Sequence, residues 1–301
     1  MMSTLPPGPD VFLMGVSKAA STWIYRCLQE HPDVYVPGQD SLRLWDLDYP
    51  SGLQAYQRQF EPAAPGQLRV DPSPTYLRSP VAAERIARHY PQARFLLSLR
   101  EPGERAFSQF WHEKKQGRLH YSFDEAIDHF MLFPWIVEHG FYAAHVRRLL
   151  QYFPRGSVRV VLYDDLVADP RRFLDQVLDA LGLPLDFTPS VLNRRVNEAG
   201  NRQTASLQAA KRLRGSPWLR PLRRVVKRLT GQTNVLREIG KAVSDREEYD
   251  QGMSVAARRR LQGLFAGEIA ELESLLGIDL ERWRTGQAGE SATVSGKGAG
   301  A

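Results

Sequence analysis

The chain has 301 residues, of which 43% are hydrophobic and 10% aromatic, so it can bury a full core and is not an intrinsically disordered protein. Its single cysteine excludes an internal disulfide framework and Cys-rich zinc modules, and its net charge of +6 favours anionic ligands. The first ten residues lack the features of a signal peptide, and no apolar run has the length of a membrane span. We therefore expect a soluble, cytoplasmic protein.

Short apolar, β-branched runs alternate along the chain with segments of helical periodicity. This alternation predicts an α/β fold with a parallel sheet covered by helices. Cys27 falls on the apolar side of the first helix, where we expect a buried, unreactive thiol. The predicted strands are 11–16, 68–71, 94–99 and 158–163, and the predicted helices are 22–30, 81–89, 103–116, 123–130, 142–152, 170–181 and 255–276.

The composition predicts one domain over residues 1–285, interrupted by a basic segment. Residues 199–237 hold ten Arg or Lys and no Asp or Glu, and the spacing within 217–231 predicts a basic amphipathic helix. Such a helix packs on the domain, covers an anionic acceptor or lies on an anionic membrane, and the sequence leaves these three open. Nucleic-acid binding is not expected, because no recognition module accompanies the charge. The small polar residues 286–301 predict a disordered tail.

The segment GVSKAAST joins the first predicted strand to the first predicted helix. A helix N-terminus leaves backbone N–H groups unpaired, so small residues at this junction make a nest for an anion. Lys18 adds a full positive charge, and the hydroxyls of Ser21 and Thr22 can donate to phosphate-type oxygens. The alternative is an ordinary helix cap with Lys18 in solvent. The loop is not a Walker A motif, because Ala19 and Ala20 stand where glycine and lysine are required.

A second basic residue, Arg100, follows the third predicted strand, and Ser108 lies about two turns into the next helix. Ligands of open α/β sheets bind outside the carboxyl ends of the strands, so Arg100 should emerge on the same edge as Lys18. Two anion sites on one edge predict a ligand with two separated anionic groups. The alternative for Arg100 is an ion pair with Glu101 or Glu104.

The two segments read Lys18-Ala-Ala-Ser-Thr22 and Arg100-Glu-Pro-Gly-Glu-Arg-Ala-Phe-Ser108. With the later stretch 140–184, they give residues 11–185 the motif order and spacing of a known family. The chain resembles the sulfotransferases that use 3′-phosphoadenosine 5′-phosphosulfate (PAPS), especially bacterial enzymes and the heparan-type carbohydrate branch. The resemblance implies a P-loop-like three-layer fold and transfer of a sulfuryl group to a hydroxyl, or secondarily an amine, of a small metabolite or glycan.

The resemblance also implies roles for individual residues. Arg100 and Ser108 would hold the 3′-phosphate of PAPS, Lys18 would contact the bridging oxygen, and Arg202 would close over the donor. The product would be 3′-phosphoadenosine 5′-phosphate (PAP), and no metal is implied. The alternatives are a P-loop-like phosphotransferase and a nucleotide-binding or membrane-associated relative without activity. The 5′-phosphosulfate would lie against Ala19, Ala20, Ser21, Thr22 and Trp23.

The chain departs from the family pattern at the position expected to supply the general base. The heparan-type branch has a Lys-Glu pair where this chain has Asp40-Ser41. Asp71, before a Ser-Pro-x-Tyr turn, and His112 are further candidates, and a phenolic acceptor would need little base help. Both aspartates could instead cap turns. Ala20 departs from glycine, and its methyl group would crowd the loop if its backbone φ is positive.

Overall fold

The computed structural model describes residues 8–39, 41–49, 52–194, 249 and 252–285. Backbone contacts divide the chain into one unit of residues 1–196 and 256–301 and another of residues 197–255. The sheet and every site described below belong to the first unit. Residues 199–237 and 286–301 lie outside the described residues, so the basic segment, the tail and the single domain over 1–285 stay predictions.

Five parallel strands form the central sheet in the order β2-β3-β1-β4-β5. Four of them match the predicted strands to within a residue. The remaining strand, β2, has two residues and is too short to leave a periodic signal in the sequence. The strands are β1 (Val11–Gly15), β2 (Val34–Tyr35), β3 (Leu68–Asp71), β4 (Arg94–Leu99) and β5 (Val158–Leu162).

All seven predicted helices are present with ends within two residues of the prediction, whereas several helices of four to six residues were not predicted. None of the described helices has the length and hydrophobicity to cross a lipid bilayer. The helices are α1 (Ser21–Glu30), α2 (Leu53–Arg58), α3 (Ala82–His89), α4 (Pro102–Lys115), α5 (Phe123–Asp128), α6 (Pro134–Glu138), α7 (Tyr142–Leu150), α8 (Tyr163–Ala168), α9 (Pro170–Leu181), α10 (Val255–Leu276) and α11 (Glu281–Arg284), with a π-helical turn at Leu44–Asp48 and 3₁₀ turns at Phe130–Leu132 and Arg155–Ser157.

Apolar side chains cover both faces of the sheet, which confirms the predicted three-layer α/β fold. On one face, α1 and α9 pack on β1, β3, β4 and β5 in a single buried cluster. On the other face, the rings of Phe12 and Phe95 stack at 5.7 Å, and Phe95 contacts Phe153 after α7 at 4.5 Å. Cys27 lies within the first cluster, and burial raises the pKa of its thiol, as expected for an unreactive cysteine.

Candidate active site

The carboxyl ends of β1 and β4 are neighbours at the point where the strand order reverses. From β1 the chain moves to β2 and β3 on one side, whereas from β4 it moves to β5 on the other. A crevice at such a point is where open α/β sheets bind their ligands. Lys18 follows β1 and Arg100 follows β4, and Nη1 of Arg100 donates a hydrogen bond to the carbonyl oxygen of Lys18 at 3.4 Å. The prediction that both residues share one edge is confirmed.

The loop between β1 and α1 is fixed by β4. The backbone N–H of Val16 donates to the carbonyl oxygen of Ser98 at 2.7 Å, and the buried Ser98 hydroxyl donates to the carbonyl oxygen of Ala19. Lys18 and Ala20 both have left-handed backbone conformations, with φ of 74° and 66°. The crowding predicted for the Ala20 methyl group at positive φ therefore applies, because Ala20 adopts a conformation that glycine prefers.

Close packing also joins this loop to the turn after β3. Gly15 has φ of 116°, and a Cβ atom at that position would lie 2.4 Å from the carbonyl oxygen of Pro74. Only glycine fits there, because the neighbouring atom belongs to the backbone and cannot rotate away.

Helix α1 begins without a side-chain cap. By contrast, the carboxylate of Glu101 accepts hydrogen bonds from the first N–H groups of α4, and Asp169 does the same for α9. The first turn of α1 therefore keeps its backbone donors for a ligand or water, next to the positive end of the helix dipole. These donors belong to Ser21, Thr22 and Trp23.

The predicted loop residues contribute in different ways. The side chains of Ser21 and Thr22 are half-buried at the crevice. The Trp23 ring packs in the core at 5.7 Å from the ring of Phe173, and the Ala19 side chain is fully buried. The side chains of Trp23 and Ala19 are therefore closed to a ligand in the crevice.

Lys18 is a half-buried cation among other cations. The pKa of its amine is lowered to about 8, mainly by burial; the charge of Glu113 raises the pKa, and the charges of Arg105, Lys115 and Arg100 lower it. The amine is therefore largely protonated at neutral pH. An arriving anion would relieve the repulsion that these positive groups exert on Lys18.

Arg100 is held from two directions. Its guanidinium lies 4.5 Å from the ring centre of Tyr163, and its Nη2 is 3.5 Å from a carboxylate oxygen of Glu104. Glu104 also pairs with Arg258 of α10 at 2.8 Å. The sequence allowed an ion pair of Arg100 with either Glu101 or Glu104. Arg100 pairs with Glu104, whereas the carboxylate of Glu101 caps α4. The Glu104 contact is long, so Arg100 retains donors for a further anion.

Ser108 lies on α4 and is half-buried. Its hydroxyl has no hydrogen-bond partner in the part of the chain that the structure describes. It therefore remains available to a phosphate oxygen, although its role stays a prediction.

Asp71 at the end of β3 is fully buried among hydroxyl groups. Tyr56 donates to its carboxylate at 2.7 Å, and Ser73 donates to its other oxygen. The same Ser73 hydroxyl accepts a hydrogen bond from the backbone N–H of Leu42 at 2.9 Å. Burial raises the pKa of Asp71 to about 7. This network ties β3 to the segment that follows Asp40, and no described contact joins Asp71 to Lys18.

The other candidate bases stand differently. His112 is exposed on α4, with Nε2 2.7 Å from Nε2 of Gln116. Burial of part of the ring lowers its pKa, and the charge of Lys18 adds to the effect, so His112 lies within electrostatic reach of the loop. Asp40 and Arg202 lie outside the described residues, and their roles stay predictions.

A group of basic residues that sequence reasoning did not assign lies beside Ser17. It lines a small pocket at the ends of β1 and β3. One member, Arg105, is the second arginine of the Arg100–Ser108 motif, so the motif could have identified it as a candidate site residue. For the histidines no local pattern in the sequence gives any signal. The unassigned basic members are Arg78, Arg105, His139 and His145.

Comparison with known proteins shows that the chain is similar to sulfotransferases. The model of the sulfotransferase family matches residues 39–187, about half of the chain, including the Arg100 segment but not the Lys18 loop. Heparan sulfate glucosamine 3-O-sulfotransferase 5 of Mus musculus is 27% identical over 187 residues, covering 58% of this chain and 54% of its own. Heparan sulfate glucosamine 3-O-sulfotransferase 6 of Homo sapiens is 29% identical over 180 residues, covering 58% and 52%. The chain thus spans about half the length of these curated relatives.

A solved structure extends the similarity over nearly the whole chain. The crystal structure of a sulfotransferase from Alicyclobacillus acidocaldarius superposes with a TM-score of 0.65 at 23% identity. The match covers 92% of this chain and 98% of the other. At this identity the likeness establishes the fold.

Proposed function

The chain belongs to the sulfotransferase family, and from that membership we propose that it transfers a sulfuryl group from PAPS to a hydroxyl of a glycan or small metabolite, releasing PAP. An amine is the secondary acceptor class. The curated relatives are named for 3-O-sulfation of heparan sulfate glucosamine, which supports a glycan hydroxyl.

The proposal rests on one observation, the pairing of Lys18 and Arg100 across adjacent strand ends. PAPS carries anionic groups at its 5′ and 3′ positions and supplies the activated sulfuryl group. The uncapped turn of α1, with the hydroxyls of Ser21 and Thr22, fits the 5′ group. Arg100 fits the 3′-phosphate through its planar guanidinium, with Ser108 as a further donor.

Lys18 is suited to stabilise the charge that develops during transfer. Its ammonium lies beside the predicted 5′ site and holds its proton at neutral pH, because its pKa is about 8. A fixed donor at the oxygen that gains charge lowers the barrier without reorganisation, and in-line positioning supplies much of the remaining rate enhancement. We therefore assign Lys18 as the principal catalytic residue.

A hydroxyl acceptor needs a base that takes its proton. Asp40 is our first candidate, because it is the carboxylate nearest to the position where the heparan-type branch has glutamate, a position that Ser41 occupies in this chain. The hydroxyl cluster around Asp71 makes it a candidate for holding the 41–44 segment as much as for proton transfer. Single-turnover rates of Asp40→Asn, Asp71→Asn and His112→Gln separate the three, since the variant that retains the rate is excluded as the base.

The direct test is a mass-spectrometric screen of hydroxyl acceptors supplied with PAPS. We expect the gain of one SO₃ group with the wild-type chain and none with Lys18→Ala, while Arg88→Ala, an exposed change of equal charge on α3, retains transfer. Binding of PAP without transfer to any acceptor would favour a relative without activity. Phosphate transfer from ATP that requires Mg²⁺ would favour a phosphotransferase. The cytoplasmic location, the absence of a metal requirement and the membrane contact of 217–231 stay predictions.

A further inference from the structure

A second basic pocket lies beside the β1 loop, and its lining includes residues that follow β1, β3 and β4. Its floor is the fully buried Arg105 of α4, and its rim includes the exposed Arg78 after β3. Ser17, the residue before Lys18, forms part of its wall. The pocket is small and partly open to solvent, and it is completed by Val16, Pro74, Leu77, His139 and His145.

Arg105 is a buried cation with unused hydrogen-bond donors. Its Nη2 donates to the carbonyl oxygen of Ile136, but its Nε and Nη1 have no partner among the described residues. The carboxylate of Glu101 acts on Arg105 from a distance and is itself occupied by the N–H groups of α4. Buried charges without partners are costly, so native structures rarely leave such donors idle unless a ligand or water completes them.

The two histidines of the pocket add neutral donors. Nη1 of Arg78 lies 3.2 Å from Nε2 of His139, and Nη2 of Arg148 lies 2.9 Å from Nδ1 of His145. An arginine can only donate, so these ring nitrogens accept, and each ring carries its proton on the other nitrogen. Burial and the neighbouring arginines lower the pKa of His139 to about 3 and that of His145 to about 4, which keeps both rings neutral.

Negative charge is scarce around this pocket. In the described ranges, no carboxylate lies within 4 Å of the guanidinium groups of Arg78, Arg105 or Arg148. Asp46, whose charge acts on Arg78, already accepts hydrogen bonds from Arg43 and Thr75. The pocket therefore offers positive charge and N–H donors without a matching acceptor.

We propose that this pocket binds one anionic group of the acceptor, a carboxylate or a sulfate, and so places the accepting hydroxyl beside Lys18. The inference rests on the proposed function. The pocket shares the loop of residues 16–18 with the proposed PAPS site, and the charge of its Arg105 acts on the Lys18 amine, so an anionic group bound there would hold the rest of the acceptor near Lys18. A neutral acceptor would leave the free donors of Arg105 unpaired, which disfavours it.

Titration with sodium sulfate tests the pocket directly. The histidine ring signals are followed by NMR at constant ionic strength, with PAP present to fill the PAPS site. We expect saturable shifts of the His139 and His145 signals, assigned through His139→Gln and His145→Gln. Sodium acetate should give weaker shifts of the same two signals. A wild-type chain in which sulfate leaves both signals unmoved overturns the proposal.

Matched variants separate local binding from general charge effects. Arg78→Ala should weaken sulfate about tenfold, as expected for loss of one charged partner, whereas Arg88→Ala removes an equal charge on α3 and should change nothing. Equal weakening by both would overturn the assignment. Arg105→Lys should retain part of the affinity and Arg105→Gln should lose it, with circular dichroism confirming that both variants fold.

Measuring PAP binding beside the sulfate response distinguishes failure of the pocket proposal from failure of the proposed function. Normal PAP binding without any sulfate response means that the pocket proposal alone has failed, whereas a sulfate response without PAP binding means that the proposed function has failed. Acceptor choice is tested with hydroxy acids and their methyl esters in the PAPS assay. Acids should be sulfated at least tenfold faster than esters, and equal rates would overturn the acceptor assignment.

Discussion

The carbonyl oxygen of Lys18 accepts a hydrogen bond from the guanidinium of Arg100, although 82 positions separate the two residues in the chain. The contact exists because β1 and β4 pair directly in the sheet, so the two loops begin side by side. A ligand that reaches both side chains would therefore bridge elements that the sheet already holds in register.

Replacement of Arg100 should weaken PAP binding without unfolding the chain. Its side chain is only 17% exposed, so a phosphate bound to it would make a well-shielded charged contact. We expect Arg100→Ala to lower PAP affinity by roughly 10- to 100-fold by calorimetry, and Arg100→Lys to recover part of the loss. Arg88→Ala serves as the control. Unchanged affinity in Arg100→Ala would refute the 3′-phosphate assignment.

If Lys18 acts in transfer as proposed, its pKa should set an alkaline limit on activity. The amine carries its charge below about pH 8 and loses it above that value. We expect kcat/KM, which reports the free enzyme, to fall about tenfold per pH unit once the pH exceeds 8. Lys18→Arg stays charged and should lose this limb, although its rate is lower. A wild-type profile that stays flat to pH 10 would contradict the role of Lys18.

The left-handed backbone at Ala20 predicts an unusual gain from glycine. A residue with a Cβ atom pays roughly 1–2 kcal/mol in this conformation, which exceeds the entropy that glycine adds to the unfolded chain. We expect Ala20→Gly to raise the free energy of unfolding by up to about 1 kcal/mol in urea titrations. Ala19→Gly, which removes a buried methyl group next door, should lower it by about 1 kcal/mol. Destabilisation by both changes would contradict the explanation.

Asp71 should make stability depend on pH in the direction opposite to an ion-paired carboxylate. Its folded pKa of about 7 lies above the usual value of 3.8, so its contribution is fully present below about pH 4 and is lost as the pH rises through 7. Relative to Asp71→Asn, the folding equilibrium of the wild type should weaken by up to about tenfold per pH unit across this window. Urea unfolding measures it, with the exposed Asp179→Asn of α9 as control. Parallel profiles for wild type and Asp71→Asn would contradict the raised pKa.

The sequence predicted the sheet, the long helices and the two basic residues at the crevice, because each depends on local periodicity or on the rule for ligand sites in open sheets. It could not locate the pocket around Arg105. The histidines of that pocket lie more than 30 positions from Arg105 in the chain, and their proximity arises only when α6 packs on α4 and α7 packs on α3. Nor could it decide between Glu101 and Glu104 as the partner of Arg100, because that depends on which carboxylate the N-terminus of α4 engages.

The absence of room for a Cβ atom at Gly15 has a consequence for redesign of acceptor preference. The backbone of Gly15 packs against the carbonyl oxygen of Pro74, four residues before Arg78. The main-chain positions of the β1 loop and of the 74–78 segment therefore depend on each other. A foreign sequence placed at 74–78 should leave the chain folded only when position 15 stays glycine and the main chain at Pro74 keeps its path. Libraries that vary the side chains of 74–78 should therefore contain more folded variants than libraries that vary the length of this segment.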